Sequence, residues 1–560
     1  MAINKMASKY IIDLRRNDLN ITGLQGLLIV LAGSLLISIG IWNCSLPLGD
    51  EAGYILSAMK LLSNGKSTPN LYLLNYEFLL KYISSDPIVV HTICRFYTSI
   101  FSCIFMYLFL SRFNRFTNNY GILITSALWT CCALNIPVVQ FGNINLFALN
   151  IVFPALILIM HKITINRALF LLFSVLWSAQ TRIAYFAPFV LLLILFIYLY
   201  IRYLQKVKWK IYISRKIINT VMLFLLIILS FAFIKSYKGK SFAELDRYLL
   251  LGLEQCYTSL YSKLHPSEKI STMVEYSNVT DKVFNNPTGF IDATMKNPTE
   301  VIKYLSVNGA INSVILIPAL LRHRSFFVPV SLGKKGEIIE ISILLLFIVW
   351  GASIGLKELK KTGVLNRIKF IEFIKNSKFL ILLALGSTSV ISIFLHIPDG
   401  RYWITLSLLI YLFIAWSISH LYSKIKSSKT KLILYLVIFI LFLHPLFIGA
   451  ESNRKIFNKM RLAHSDSSSA PIIAGLYPGA FGTYAFGLNR EIITVNNISI
   501  ENIKKNKYDF VIISSYFRNS SFWNKNSDFL QSFEKIPAQF GQKKLGASSD
   551  KYKLGVYTKQ

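Results

Sequence analysis

The chain has 560 residues, 54% of them hydrophobic and only 16% charged, with a mean hydropathy of +0.51. Soluble globular proteins are far less apolar, so the composition excludes an ordinary soluble domain. The net charge of +33, from 60 Lys and Arg against 27 Asp and Glu, is concentrated between apolar runs. No nucleic-acid motif accompanies it, so the excess is assigned to basic loops and anionic lipid headgroups, and nucleic acid is excluded as a partner.

Apolar runs of about 20 residues recur from the N-terminal region to about residue 450, each long enough to cross a ~30 Å hydrocarbon core. They predict an all-α polytopic membrane protein of about 11 spans: 23–42, 88–110, 119–138, 143–160, 166–181, 184–201, 217–235, 337–356, 379–397, 402–421 and 431–449. The first is read as a retained signal anchor, because no small-x-small cleavage site clearly follows it. Ala168 to Ile201 as one helix would be ~50 Å long, too long for one crossing. Gln180, Thr181 and Arg182 interrupt it, which predicts a tight hairpin.

Lysine and arginine placement sets the orientation. The N-terminal arm, loop 202–216, loop 357–378 with seven basic residues and segment 422–431 with four are expected in the cytoplasm. Segment 301–321 is then placed as a re-entrant or interfacial helix on the outer face, which keeps each of these loops inside. Loops 43–87 and 236–336 and the tail become external. The domains are therefore 1–449, a transmembrane unit, and 450–560, a soluble extracytoplasmic α/β domain. In that tail Ile472–Ala474, Ile492–Val495 and Phe510–Ile513 read as buried strands, with helices at Phe481–Leu488 and Ile500–Lys505 between them. The tail glycines form no GxGxxG, so they read as turns. The six cysteines form no CxxC and four lie inside apolar runs, so neither a disulfide frame nor a cysteine metal site is expected.

The first external loop carries the chemistry. It runs from Leu48 through Gly49, Asp50 and Glu51 to Asn64 and Gly65. Ile55, Leu56, Met59 and Leu62 fall on one helical face and Gly65 is a natural stop, so an amphipathic interfacial helix is expected. Asp50 as an N-cap and Glu51 as a partner of the helix dipole would be purely structural roles. Carboxylates this close to a bilayer are costly unless used, which favours a functional role.

The stretch GDEAGYILSAMKLLSNG resembles the signature of GT-C glycosyltransferases of the protein O-mannosyltransferase and lipid A aminoarabinose transferase kind. In that superfamily an acidic pair follows the first span and opens an interfacial helix. Arg95 in the second span, Ala179-Gln180-Thr181-Arg182 at the fifth-to-sixth hairpin and His396-Ile397-Pro398-Asp399-Gly400-Arg401-Tyr402 at a late span are similar in order. The resemblance covers nearly the whole chain. It departs at Gly142-Asn143-Ile144-Asn145, where members often carry a second acid. It departs again at Asn70-Leu71-Tyr72, where the aminoarabinose transferases have Glu-Lys-Pro; here Glu77 follows later.

The resemblance implies an inverting transfer of a sugar from a polyprenyl-phosphate donor to a glycan, lipid or protein acceptor on the outer face. Asp50 is then the catalytic base and Glu51 its neighbour, orienting the acceptor or a divalent cation; no other cofactor is called for, and metal binding stays open. Arg182 and Arg401 are the phosphate clamps, with Tyr402 beside the second, since guanidinium matches phosphate bidentately. Snorkelling for Arg182 and an aromatic-belt anchor for Arg401-Tyr402 are the structural alternatives. Arg95, His91 and His396 read as structural. The partners are the lipid-linked donor and membrane lipids. The low alanine and high lysine, isoleucine and asparagine content suggests an AT-rich genome and the many short loops look bacterial, so a bacterial plasma (inner) membrane is expected. A transporter or flippase would want charges at mid-membrane and two similar halves, and a glycan polymerase a large late loop without the acidic helix or folded tail.

Overall fold

The computed structural model describes residues 23–42, 50–65, 70–131 apart from 115, 143–206, 242–268, 276–321, 333–361, 377–395, 404–425 and, with short gaps, 453–559, together with a few isolated positions. Within them the chain is mostly helical, with one small sheet near its C-terminus.

The apolar runs become helices: α1 Gly23–Trp42, α4 Pro87–Ser111, α5 Asn119–Cys131, α6 Asn143–His161, α7 Ile165–Thr181 and α8 Phe186–Lys206. Later come α13 Gly333–Lys361, α14 Ser377–Leu395 and α15 Ser407–Lys424. Among the described residues, Pro87–Ser111 and Ile144–His161 are long and apolar enough to cross a membrane by length and composition. The expected span 431–449 and most of 217–235 lie outside the described residues.

One core of aromatic and aliphatic side chains joins α4–α8 to α14 and α15, with Trp129, Phe109, Phe153 and Tyr411 fully buried. Several hydroxyls inside these apolar helices are satisfied within their own helix. Thr92, Thr98, Ser126 and Thr130 each donate to the carbonyl four residues earlier, which removes the cost of burying them. Other polar groups tie helices together. Trp129 Nε1 donates to Ser102 Oγ at 2.9 Å, Ser178 Oγ to the Ala148 carbonyl at 2.8 Å and Asn150 Nδ2 to the Thr98 carbonyl at 2.7 Å.

Helix ends expected on the cytoplasmic side meet one another. Asn118, just before α5, donates through its backbone to Ser419 Oγ near the end of α15, and Tyr120 stacks on Tyr422. Lys378 at the start of α14 donates to the Met160 carbonyl at the end of α6. Lys424 meets Glu358, so α13 and α15 also end together.

Two findings concern the loops expected outside, and the first leaves the interfacial rather than the re-entrant alternative for 301–321. Segment 301–321 belongs to one continuous helix, α12 Pro298–Leu321, so its backbone makes no re-entrant turn. The long loop is itself helical, with α9 Phe242–Leu264, α10 Tyr276–Phe284 and α11 Phe290–Lys296 before α12. Tyr257, Phe284 and Tyr304 form their shared core.

The tail opens with α16 Asn453–Ala463. It continues through β1 Ile472–Gly475, α17 Pro478–Phe486, β2 Glu491–Thr494, α18 Ile500–Lys504 and β3 Phe510–Ile513. After α19 Ser527–Lys535, strands β4 Gln542–Ala547 and β5 Gly555–Lys559 complete a five-stranded sheet of order β2-β1-β3-β5-β4. β1 is parallel to β2 and β3, and β5 is antiparallel to β3 and β4. The three expected strands and the alternation with helices are present, but β2 lies at the sheet edge and is only half-buried rather than buried; α16, α19, β4 and β5 are additional.

Candidate active site

Two helices follow α1: α2 Asp50–Ser63 and α3 Leu71–Tyr82. Helix α2 contains Asp50 and Glu51 as its first two residues, where negative charge meets the unsatisfied N–H groups of the first turn. Their side chains lie outside the described residues. Gly65 ends the segment with φ +61°, as expected of a glycine stop. The buried stripe differs from the expected one. It is centred on Ala52, Ile55 and Ala58, with Met59 and Leu62 only partly buried. The reason is that α2 packs between neighbours, α3 and the tail helix α17, and small residues let them come close.

Helix α3 was not foreseen. Asn70, noted above only for departing from the superfamily pattern, caps it by accepting from the N–H groups of Tyr72 at 2.9 Å and Leu73 at 3.3 Å. Asp86 and Pro87 start α4 in the same way, with Asp86 accepting from the Ile88 N–H at 2.8 Å. Helix α3 packs against α2, α4 and α7, and so lies between the element that carries the acidic pair and the one that ends at Arg182. A buried polar row crosses from α3 to α4: the Tyr72 and Tyr76 hydroxyls are 3.3 Å apart, and Tyr76 Oη is 3.2 Å from His91 Nδ1. The His91 ring lies 6.0 Å from that of Tyr484 in the tail. His91 and Arg95 are both buried, in keeping with structural roles.

Sequence reasoning passed over Glu77 as a site residue. It is buried on α3, its Oε1 has no hydrogen-bond partner among the described residues, and burial raises its pKa above the ordinary glutamate value. Its signal was a lone acid in an otherwise apolar and aromatic stretch.

The hairpin break falls where expected. Arg182 caps α7 in an extended conformation, its N–H donating to the Ser178 carbonyl at 2.8 Å. A single 3-10 turn, Ile183–Tyr185, leads into α8, whose first turn accepts Pro188 because N–H groups there have no helical partner. The Tyr185 hydroxyl is buried without a hydrogen-bond partner among the described residues. Helix α14 packs on this turn. Arg401 and Tyr402 lie outside the described residues. The described chain resumes in a turn at 404–406 and α15 starts at Ser407, later than the expected 402.

The tail covers this end of the helices. Phe457, Met460, Tyr484 and Phe510 share one core with Ile55, Tyr72, Tyr76 and Val90. Arg461 of α16 forms a two-pronged ion pair with Asp86, both contacts 2.9 Å, and also donates to the carbonyls of Tyr484 and Ala485. Burial alone would raise the Asp86 pKa. The hydrogen bond from Arg461, the Ile88 N–H and the arginine charge outweigh it and hold the carboxyl below its ordinary value. In the tail itself Arg490 donates to Thr483 Oγ1 at 2.8 Å, and burial lowers its pKa to about 10.

No family model matches the chain, and no curated protein matches it. Among solved structures it is similar to ArnT from Cupriavidus metallidurans in the apo state, at 8% identity and a TM-score of 0.38, covering 96% of this chain and 98% of that one. It is also similar to the Archaeoglobus fulgidus oligosaccharyltransferase in complex with zinc and sulfate, at 12% identity and a TM-score of 0.41, covering 86% and 67%. Both are GT-C enzymes. Likenesses this distant assign no activity, so the reading of the site stands on its residues. Among the described residues no cluster of three or more His, Cys, Asp or Glu side chains is placed to hold a metal ion.

Proposed function

We propose that the chain is a multi-pass membrane glycosyltransferase, moving a sugar from a polyprenyl-phosphate donor to an acceptor on the non-cytoplasmic face. The membrane reading is supported by the apolar runs and by the pairing of helix ends that positive-inside orientation assigns to one side. The observation that carries the enzymatic reading is that an acidic pair opens α2, a helix packed against α3 and the tail helix α17.

The acceptor hydroxyl oxygen attacks the anomeric carbon as the bond from that carbon to the phosphate oxygen breaks. The hydroxyl proton passes to Asp50, and the polyprenyl phosphate departs with the bonding pair. Phosphate is a good leaving group, so no strong general acid is needed. What the reaction needs is a base for the acceptor and cations for the charge that builds on the phosphate. Arg182 and Arg401 supply the charge, Tyr402 lies beside Arg401, and Glu51 orients the acceptor or a divalent cation. Attack from the face opposite the phosphate inverts the anomeric centre. The tail, folded outside, bounds the site, and the enzyme belongs in a bacterial plasma membrane.

Comparing lipid-linked and surface glycans between a deletion strain and its parent tests this reading. The expected result is accumulation of one polyprenyl-phosphate sugar with loss of one glycan decoration; unchanged lipid-linked sugars and glycans would refute it. Within the same system Arg401→Ala is expected to slow transfer about ten- to a hundredfold, the loss of one charged hydrogen bond. Arg401→Lys is expected to be milder, since it keeps the charge and loses only the fork. Equal turnover by Arg401→Ala and wild type would remove Arg401 from the site.

A further inference from the structure

A groove of about 480 Å³ runs between α13 and α15, away from the acidic helix and the tail. Its apolar length is formed by Ile348, Val349, Ala352, Leu356 and Phe413, and its mouth by Lys357 and Lys360. These positions recur at helical spacing along one face of α13, covering about 18 Å. Val349, Leu356 and Phe413 are 62%, 48% and 47% exposed, so the apolar floor is open.

The groove exists because the two helices touch closely beside it. A side-chain carbon at Gly351 would collide with the Ser417 carbonyl, and one at Gly355 with Trp416 and His420. This glycine pair, four residues apart, is the small-residue packing that brings helices together in lipid.

Charge tells what fills it. Glu358 is the acid nearest in sequence to both lysines, and it is engaged by Lys424 at 2.8 Å and Lys361 at 3.9 Å. Lys357 and Lys360 have no acidic partner among the described residues. They begin the basic stretch 357–378, on the side where a membrane carries its anionic lipids.

We infer that this groove binds one anionic diacyl phospholipid of the cytoplasmic leaflet, with an acyl chain along Val349–Leu356 and Phe413 and the phosphate between Lys357 and Lys360. The inference rests on the membrane reading above and not on the transfer chemistry. A cation–phosphate contact at the exposed rim and an apolar chain along the floor each match what the groove presents.

The test uses the purified full-length protein in nanodiscs of mixed phosphatidylglycerol and phosphatidylcholine, with retained lipid read by native mass spectrometry and its position by a photoactivatable phosphatidylglycerol. Wild type is expected to retain phosphatidylglycerol over phosphatidylcholine by roughly thirtyfold, about fivefold per lysine. The double variant Lys357→Gln, Lys360→Gln is expected to lose that preference. Ser353→Trp, at an exposed position in the groove, is expected to reduce retention of both lipids. Wild-type preference in the double variant, or cross-links that map elsewhere, would overturn the inference. So would a doubled particle mass, which would put a second copy on this face, or cross-links from 431–449 that place the chain's own segment there. Sugar transfer measured in the same nanodiscs is independent: retained lipid without transfer refutes only the enzymatic reading, and transfer without retained lipid refutes only the lipid site.

Discussion

Asp50→Asn is expected to leave the protein at normal abundance and to lower sugar transfer by roughly 10²–10⁴-fold. The substitution keeps the shape of the side chain, and asparagine favours helix starts about as well as aspartate. A residue that only stabilises the first turn of α2 would therefore tolerate it. What is lost is the charge that accepts a proton. Glu51→Gln, one residue on, should cost less, because its role is to orient. The measurement is transfer from a radiolabelled polyprenyl-phosphate sugar in membranes with matched protein levels. Near-normal transfer by Asp50→Asn would end the case for this base and most of the case for an enzyme.

The second large effect is expected at Arg461. Arg461→Ala removes two hydrogen bonds to the Asp86 carboxylate and two to backbone carbonyls. The pair is about a third exposed, so solvent already screens part of its strength. About 3 kcal/mol is a reasonable loss, more than a hundredfold in the docking equilibrium of the tail. Hydrogen exchange should then accelerate in α2 and α3 as well as in α16, while the sheet stays protected. Unchanged exchange in α2 and α3 would mean that the tail does not hold them. The pair also sets an acid limit. Asp86 has a depressed pKa in the fold, so its contribution is complete above the ordinary value of 3.8 and is lost as pH falls through the lower folded value. Wild type should keep its tail docked through neutral pH and loosen it only as pH falls below the ordinary aspartate range, and Arg461→Ala should show a smaller acid step, since only the Ile88 and Val89 N–H groups then hold the carboxylate.

Much of the helical layer was legible because it is written in local chemistry. Continuous apolar runs gave α1, α4, α6 and α7 to within a few residues, and Gln180-Thr181-Arg182 marked the break after α7. The strands at Ile472, Ile492 and Phe510 were visible as short β-branched runs, although the edge strand at Ile492 is only half-buried. Other elements carry no such local mark. Helix α3 is apolar on its packed side and carries Phe78 and Tyr82 on its exposed side as well, so it lacks a polar face to give it a period. Strand β4 begins Gln542-Lys543-Lys544, polar as an edge strand tends to be, and reads as loop. The Asp86–Arg461 pair joins residues 375 positions apart, and nothing in either neighbourhood announces it. At the candidate site, the acidic pair and Arg182 stand out in the sequence by type and position, and their roles are those proposed above. Glu77 was passed over because a lone acid in a greasy stretch is a weak signal until its burial is known.

That separation of 375 residues also has a meaning in time. Chains are made from the N-terminus at about 5–20 residues per second, so Asp86 waits roughly 20–75 s before Arg461 exists. During that interval Ile55, Tyr72, Tyr76 and Val90 lack the half of their core that Phe457, Met460 and Tyr484 provide. The helix bearing the acidic pair thus reaches its final setting among the last events of synthesis. A chain cut short within the tail would keep its membrane helices yet leave that apolar face bare, a mark by which a proteolytic surveillance system can tell unfinished copies from finished ones.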